Sequence, residues 1–233
     1  MMRLFIFFIL AIFFFSGCNQ QSDRKKSTSG KSELTDNKTL QKIKEEGKLT
    51  ALTTYSGTSY FLYRGQPMGF EYELLQRFAD HLGVELEIVV SQNIDNLLDD
   101  LNGDSIDLVA HGITITSDRK ETVNFTDYLY LTHQVLVQRK PKNWRRMSWS
   151  AVEKELIHDA IELIGDTVSV RKNSSYFQRL QNLSKEIGGE IYIDTLPGYL
   201  STDRIIKMVV DGEIKYTVAD NNIASINASY YHS

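Results

Sequence analysis

The chain opens on an unbroken apolar run of twelve residues, Leu4 to Phe15, preceded by Arg3 and closed by Ser16-Gly17-Cys18. As a helix this run spans about 18 Å, short of the ~20 residues that cross a bilayer, so residues 1–17 read as a secretory signal, not a membrane span. The pattern then inverts. Residues 18–36 are rich in Ser, Lys, Gln and Thr with almost nothing apolar to pack, and they read as a flexible tether.

From Asn37 to Asn143 strand-like and helix-like segments alternate, which predicts βαβ units and a largely parallel sheet. Strands are expected over 49–53 and 84–90. Between them, residues 71–82 place Leu74, Leu75, Phe78, Ala79 and Leu82 on one helical face, and Gly83 ends the helix. Leu97, Leu98 and Leu101 mark a short helix, 106–110 is an apolar run suited to a buried strand, and Val135 and Val137 alternate in another. A basic, Trp-containing stretch from Lys140 to Arg146 then interrupts the pattern. The second series starts at Ser150-Ala-Val-Glu153, a capping box expected to open a helix through Ile164. Strands over 167–170, 191–194 and 216–219 and helices over 176–187 and 203–211 follow. The chain thus reads as two successive α/β lobes, 37–138 and 139–233, without the fixed-period repeat of a solenoid.

Composition narrows the chemistry. With 42% hydrophobic and 24% charged residues this is an ordinary globular composition, and 26 Lys+Arg against 30 Asp+Glu with no long basic run exclude nucleic acid as the expected partner. Cys18 is the only cysteine, so there is no internal disulfide. Following Ser16-Gly17, it matches the bacterial lipoprotein signal, in which the Cys is lipid-modified and becomes the mature N-terminus; a leftover thiol and an uncleaved anchor are the alternatives. Acyl chains on Cys18 would anchor the protein to a membrane. The His residues at 81, 111, 133, 158 and 232 lack ligand spacing, and no nucleophile elbow, phosphate loop or dinucleotide fingerprint is present, so neither metal nor cofactor is expected.

What remains lies at strand ends and helix starts, where open α/β sheets bind ligands. In Gly112-Ile-Thr-Ile-Thr-Ser-Asp-Arg119, Thr116 or Ser117 caps a turn and Arg119 offers a planar fork to a carboxylate, with Thr114 in the same loop; a capped turn with a solvated Arg is the plainer reading. In Lys172-Asn-Ser-Ser175, Ser174 or Ser175 is the N-cap of a helix whose N-terminus makes a second anion site, although capping alone explains both serines. Asp220, at a strand tip, either pairs with an ammonium group or caps the next helix. Arg119 and Asp220 together would make an amino-acid-shaped site. Tyr55, Tyr60, Phe61 and Tyr63 would line it or simply pack.

These residues carry a resemblance. Gly69-Phe-Glu-Tyr-Glu-Leu74, Phe78-Ala-Asp-His-Leu-Gly-Val-Glu-Leu-Glu87, Gln92-Asn-Ile-Asp-Asn-Leu-Leu-Asp-Asp-Leu101, Asp107-Leu-Val-Ala-His-Gly112 with Thr116 to Arg119, and Tyr216-Thr-Val-Ala-Asp220 resemble the amino-acid-binding type 2 periplasmic binding proteins. Within them they are most similar to the N-terminal domain of the membrane-bound lytic murein transglycosylase F family. The resemblance covers roughly residues 40–228. It implies an α/β, two-lobed fold with mostly parallel sheets, the second lobe inserted in the first, and ligand capture by lobes closing about a hinge that includes 135–138. It also implies that Arg119 holds a ligand α-carboxylate, Asp220 its α-ammonium, and Ser174 the carboxylate again, with Asn173 where the family has Gly.

Two functions follow from the resemblance. One is a regulatory domain that senses an amino acid or peptidoglycan-derived peptide (a muropeptide) for a cell-wall transglycosylase; the other is a solute-capture lipoprotein serving an ABC permease. Either implies the bacterial cell envelope, with a lipid anchor in the outer membrane facing the periplasm. The transglycosylases' catalytic glutamate sits in a Glu-Ser motif, and no glutamate here precedes Ser, so no glycan cleavage is expected of these 233 residues. The fold's C-terminal return segment, on the order of 40 residues by typical element lengths, is expected to be missing, which makes the chain a truncated form of the fold.

Overall fold

The computed structural model describes residues 39–231 except 104, so the expected signal, tether and Cys18 lie outside the described residues. Residues 39–46 are helical (α1), with Ile43 turned into the core. Strand β1 (Lys48–Thr54) is buried along almost its whole length because it is central. It pairs in parallel with β4 (Glu85–Ser91) from Lys48 opposite Glu85 to Thr54 opposite Ser91, and with the two-residue β5 (Leu108–Val109) through Ala51 and Leu52. Between β1 and β4 come a hairpin, β2 (Phe61–Tyr63) and β3 (Gln66–Met68), and helix α2 (Phe70–Leu82). The sequence reading had no hairpin; Arg64 and Gly65 turn it at φ 52° and 80°, the left-handed pair that two-residue hairpins require.

Helix α2 ends as expected at Gly83 (φ 72°), with the Gly83 N–H donating to Asp80 O at 3.2 Å and the Val84 N–H to Ala79 O at 3.1 Å. Its inner face differs from expectation. Glu71, Leu75 and Ala79 are buried in i, i+4 steps, while Leu74 and Phe78, one residue out of phase, are 39% and 43% exposed. After α3 (Leu97–Leu101) and β5, a short helix α4 (Ser117–Lys120) leads toward the second sheet.

The second sheet runs β6-β9-β7-β8, from β6 (Gln134–Gln138), β7 (Thr167–Arg171), β8 (Tyr192–Leu196) and β9 (Tyr216–Asp220). β7 is parallel to both neighbours; β6, expected as a hinge crossing, runs antiparallel to β9 along its full length. Leu163, Val168, Val170, Tyr176, Leu180, Ile191 and Val218 form this sheet's core. The helices are α5 (Trp149–Glu153), α6 (Ser175–Glu186), α7 (Thr202–Asp211) and α8 (Asn221–Tyr230).

The long helix expected from Ser150 to Ile164 is not formed. Ser148, extended at ψ 151°, takes the N-cap position, so Ser150 falls inside α5, which stops at Glu153. The capping box belongs instead to Asp159 and Glu162, which close a separate 3-10 turn at Ala160–Leu163. α8 is the helix expected to follow Asp220. Among the described residues no helix is long and apolar enough to cross a membrane.

Candidate functional site

A cavity of about 70 Å³, several times what one water needs, opens where loops of the two sheets meet. One wall comes from Ile94, Asp95 and Leu98 and from the loop that leaves β5 at His111 and runs to Thr114 and Arg119. The other is the tip of β7 and the start of α6, Arg171 and Asn173 to Tyr176. These are the carboxyl ends of strands in both sheets, the edge at which open α/β sheets bind ligands.

Thr116, extended at φ −123° and ψ 161°, caps α4, its Oγ1 accepting the Arg119 N–H at 3.4 Å. This turn aims Arg119 back over the cavity. Its Nη1 donates to Thr114 O at 2.9 Å and its Nη2 reaches Asn173 O on the opposite wall at 3.4 Å. Beside it, Thr114 Oγ1 and Ser175 Oγ lie 3.0 Å apart. Ser174 is the N-cap of α6: its Oγ accepts from the Phe177 N–H at 3.2 Å and donates to Arg171 O at 2.7 Å. Ser174 therefore shapes the α6 N-terminus, and Ser175 is the serine whose hydroxyl meets the opposite loop.

The electrostatics are dominated by two cations, the buried Arg171 and the half-buried Arg119. Burial pulls the Arg119 and Arg171 guanidinium groups below their usual range, partly offset by the Asp95 charge. His111 Nδ1 is 3.0 Å from Ser59 Oγ and 3.3 Å from Thr54 Oγ1. Burial, with the Arg171 charge second, pushes His111 down to about 4, so the ring is neutral at neutral pH.

The structure brings Arg119, Thr114 and Ser174 together in this cavity but leaves Asp220 and the aromatic residues Tyr55, Tyr60, Phe61 and Tyr63 outside its lining. Asp220 ends β9 beside the cavity-lining Tyr176, whose Oη accepts the Asp220 N–H at 3.2 Å; burial pushes the Asp220 carboxyl up. The Asp220 side chain does not cap α8. Tyr55 is 52% exposed and stacks at 5.6 Å on Tyr60. Sequence reasoning missed Asp95, His111, Arg171 and Tyr176. Arg171 was within reach: it is the strand-tip residue immediately before the Lys172-Asn-Ser-Ser175 turn, and the strand was expected to end one residue earlier.

Two α/β sheets with a polar cavity at their strand ends define the type 2 periplasmic binding protein fold. Residues 52–232 match the family model for bacterial extracellular solute-binding proteins, family 3. The chain belongs to that family. It is 34% identical over 195 residues to the membrane-bound lytic murein transglycosylase F of Pseudomonas putida (strain W619), covering 83% of this chain and 37% of that protein. The homonymous protein of Desulfosudis oleivorans is 34% identical over 192 residues, covering 82% and 39%. The chain thus spans less than two-fifths of the length of these relatives. Among solved structures, the ancestral amino acid-binding protein AncCDT-1, a precursor of cyclohexadienyl dehydratase, superposes with a TM-score of 0.66 at 25% identity, covering 82% of this chain and 78% of that one. The arginine-bound form of truncated ArgBP from T. maritima superposes with a TM-score of 0.64 at 26% identity, covering 82% and 81%.

Proposed function

We propose that this chain captures an amino acid or a peptidoglycan-derived peptide outside the cytoplasm and acts as the regulatory, ligand-sensing part of a lytic murein transglycosylase F-like cell-wall protein. The observation that carries the ligand class is Arg119, whose fork projects into a cavity bounded by both sheets and hydrogen-bonds to carbonyls on both walls. A ligand α-carboxylate takes the place of the weaker of these bonds, at Asn173, and approaches Ser175 and the N-terminus of α6. Asp220 acts on the ligand's ammonium through the Tyr176 side of the cavity. Residues 37–138 and 139–233 serve as the two lobes that close on the ligand, and Cys18 as the lipid anchor that holds the protein at the periplasmic face of the outer membrane.

The similarity to transglycosylase F proteins favours regulation. The similarity to amino-acid-binding proteins supports a second reading, a substrate-binding lipoprotein for an amino-acid ABC permease. Calorimetric titration of the full chain with amino acids and muropeptides tests the ligand class: saturable heat is expected, and Arg119→Ala should weaken it by about tenfold to a hundredfold, since a hydrogen bond to a charged group is worth ~1.5–3 kcal/mol. Unchanged affinity in Arg119→Ala overturns the assignment.

A further inference from the structure

The cavity holds a cation that an α-carboxylate on Arg119 leaves unmatched. Arg171 is the last residue of β7, only 8% exposed, and its Nη1 is buried with no hydrogen-bond partner. Burial without a partner is costly for any polar group, and more so for a charged one. Within the site that charge is met only at a distance. Among the described residues neither Arg171 nor Arg119 forms an ion pair, and Asp95, the one carboxylate in the cavity lining, acts on both through space. The neighbouring ring of His111 is neutral and hydrogen-bonds away toward Ser59 and Thr54. Arg119 is differently placed, because two of its N–H groups already meet carbonyl oxygens.

We infer that Arg171 is a second anion contact in this cavity, so that the ligand carries two carboxylates, one for Arg119 and one for Arg171. This rests on reading the cavity as an amino-acid or peptide site and names the class of ligand within it. A neutral carbonyl on the ligand would supply Arg171 with an acceptor but not with a countercharge; a carboxylate supplies both, in the planar geometry that a guanidinium matches. The shared chemistry is an acidic side chain on an α-amino acid, either free or as the acidic residue of a short peptide.

The test is a matched pair. L-glutamate and L-glutamine differ at one end by a carboxylate against an isosteric amide, and L-alanyl-D-glutamate presents two carboxylates on a peptide. Each is titrated calorimetrically into the full chain and into its Arg171→Met and Arg119→Ala variants, and ligand-free thermal unfolding is followed for all three. The expected result is that L-glutamate, L-alanyl-D-glutamate or both bind the wild type at least about tenfold tighter than L-glutamine. Which of the two acids binds tighter tells free amino acid from peptide. In Arg171→Met the preference should shrink to about twofold or less while weak glutamine binding persists, and the ligand-free melting temperature should stay level or rise because a buried charge is gone. Equal affinity for L-glutamate and L-glutamine in the wild type, with both lost in Arg119→Ala, overturns the second contact and leaves the amino-acid reading standing. So does an Arg171→Met variant that melts lower yet keeps the preference, which would make Arg171 a structural cation. Binding of none of the three probes overturns both.

Discussion

Thr114 Oγ1 and Ser175 Oγ meet at 3.0 Å across the cavity, one from the loop that leaves the first sheet and the other from the first residue of α6 in the second. The contact is exposed, and it joins chain segments 61 residues apart beside the Arg119 fork. It therefore acts on how the two walls approach each other, not on the core of either. Thr114→Val keeps the shape and removes the hydroxyl. The expected outcome is a loss of ligand affinity of about threefold to tenfold, in line with ~0.5–1.5 kcal/mol for a neutral hydrogen bond, with no measurable change in the unfolding temperature. Titration calorimetry and a thermal melt of the same variant check both halves.

Gly69 sits where the neighbouring backbone leaves no room for a side chain. It precedes α2 at φ 136°, and a Cβ there would run into the carbonyl of Ser59 and lie 3.0 Å from Tyr60 Cα. The crowding is built in, since the Phe70 N–H donates to Thr58 O at 2.7 Å and the Tyr72 N–H to Ser59 O at 3.2 Å, holding the two segments together. Gly69→Ala should cost about 2 kcal/mol or more, because strained backbone alone costs ~1–3 kcal/mol and the collision adds to it. Gly47→Ala, at φ 68° with nothing within 4 Å, is the control and should cost about 1 kcal/mol. Denaturant unfolding of the two variants checks the ordering.

His111 predicts acid lability. In the unfolded chain its ring titrates near the ordinary 6.5, whereas in the folded protein burial and the Arg171 charge push it down to about 4. Between these values the unfolded state binds the proton and the folded state does not. Stability is therefore full above the unfolded value and falls as pH drops toward 4, by about 3 kcal/mol at 1.36 kcal/mol for each pH unit. His111→Gln, which keeps a polar group facing Ser59, should remove most of that slope. Melting temperatures of both proteins between pH 7 and pH 4 give the comparison, and parallel curves would contradict it.

The sequence carried the elements whose signals are local and the site residues whose position follows from them. Gly83 stops α2 because only a left-handed residue closes that turn, and Thr116 and Ser174 cap because their hydroxyls reach N–H groups three residues on. Arg119 was legible for the same reason, as the third residue of a capped turn at a strand end. What could not be read is long-range. Glu71 replaces Leu74 on the buried face of α2 because the segment carrying Ser59, drawn in by Gly69, sets which stripe of the helix faces inward. Arg171 and His111 come together from residues 60 apart in sequence, and a buried charge without a partner has no signature in composition or period. Asp220 illustrates the converse: its place at a strand tip was read correctly, and only packing shows that Tyr176 lines the cavity while Asp220 does not.

The central claim is that a ligand carboxylate sits on Arg119 between the two sheets. The most direct measurement is a crystal structure of the chain with the tightest-binding amino acid or muropeptide from the titrations. It should show a ligand carboxylate within about 3.2 Å of the Arg119 guanidinium and in reach of Ser175, inside the cavity bounded by Asp95 and Tyr176. A ligand bound elsewhere, or in that cavity with its carboxylate turned away from Arg119, would contradict the account.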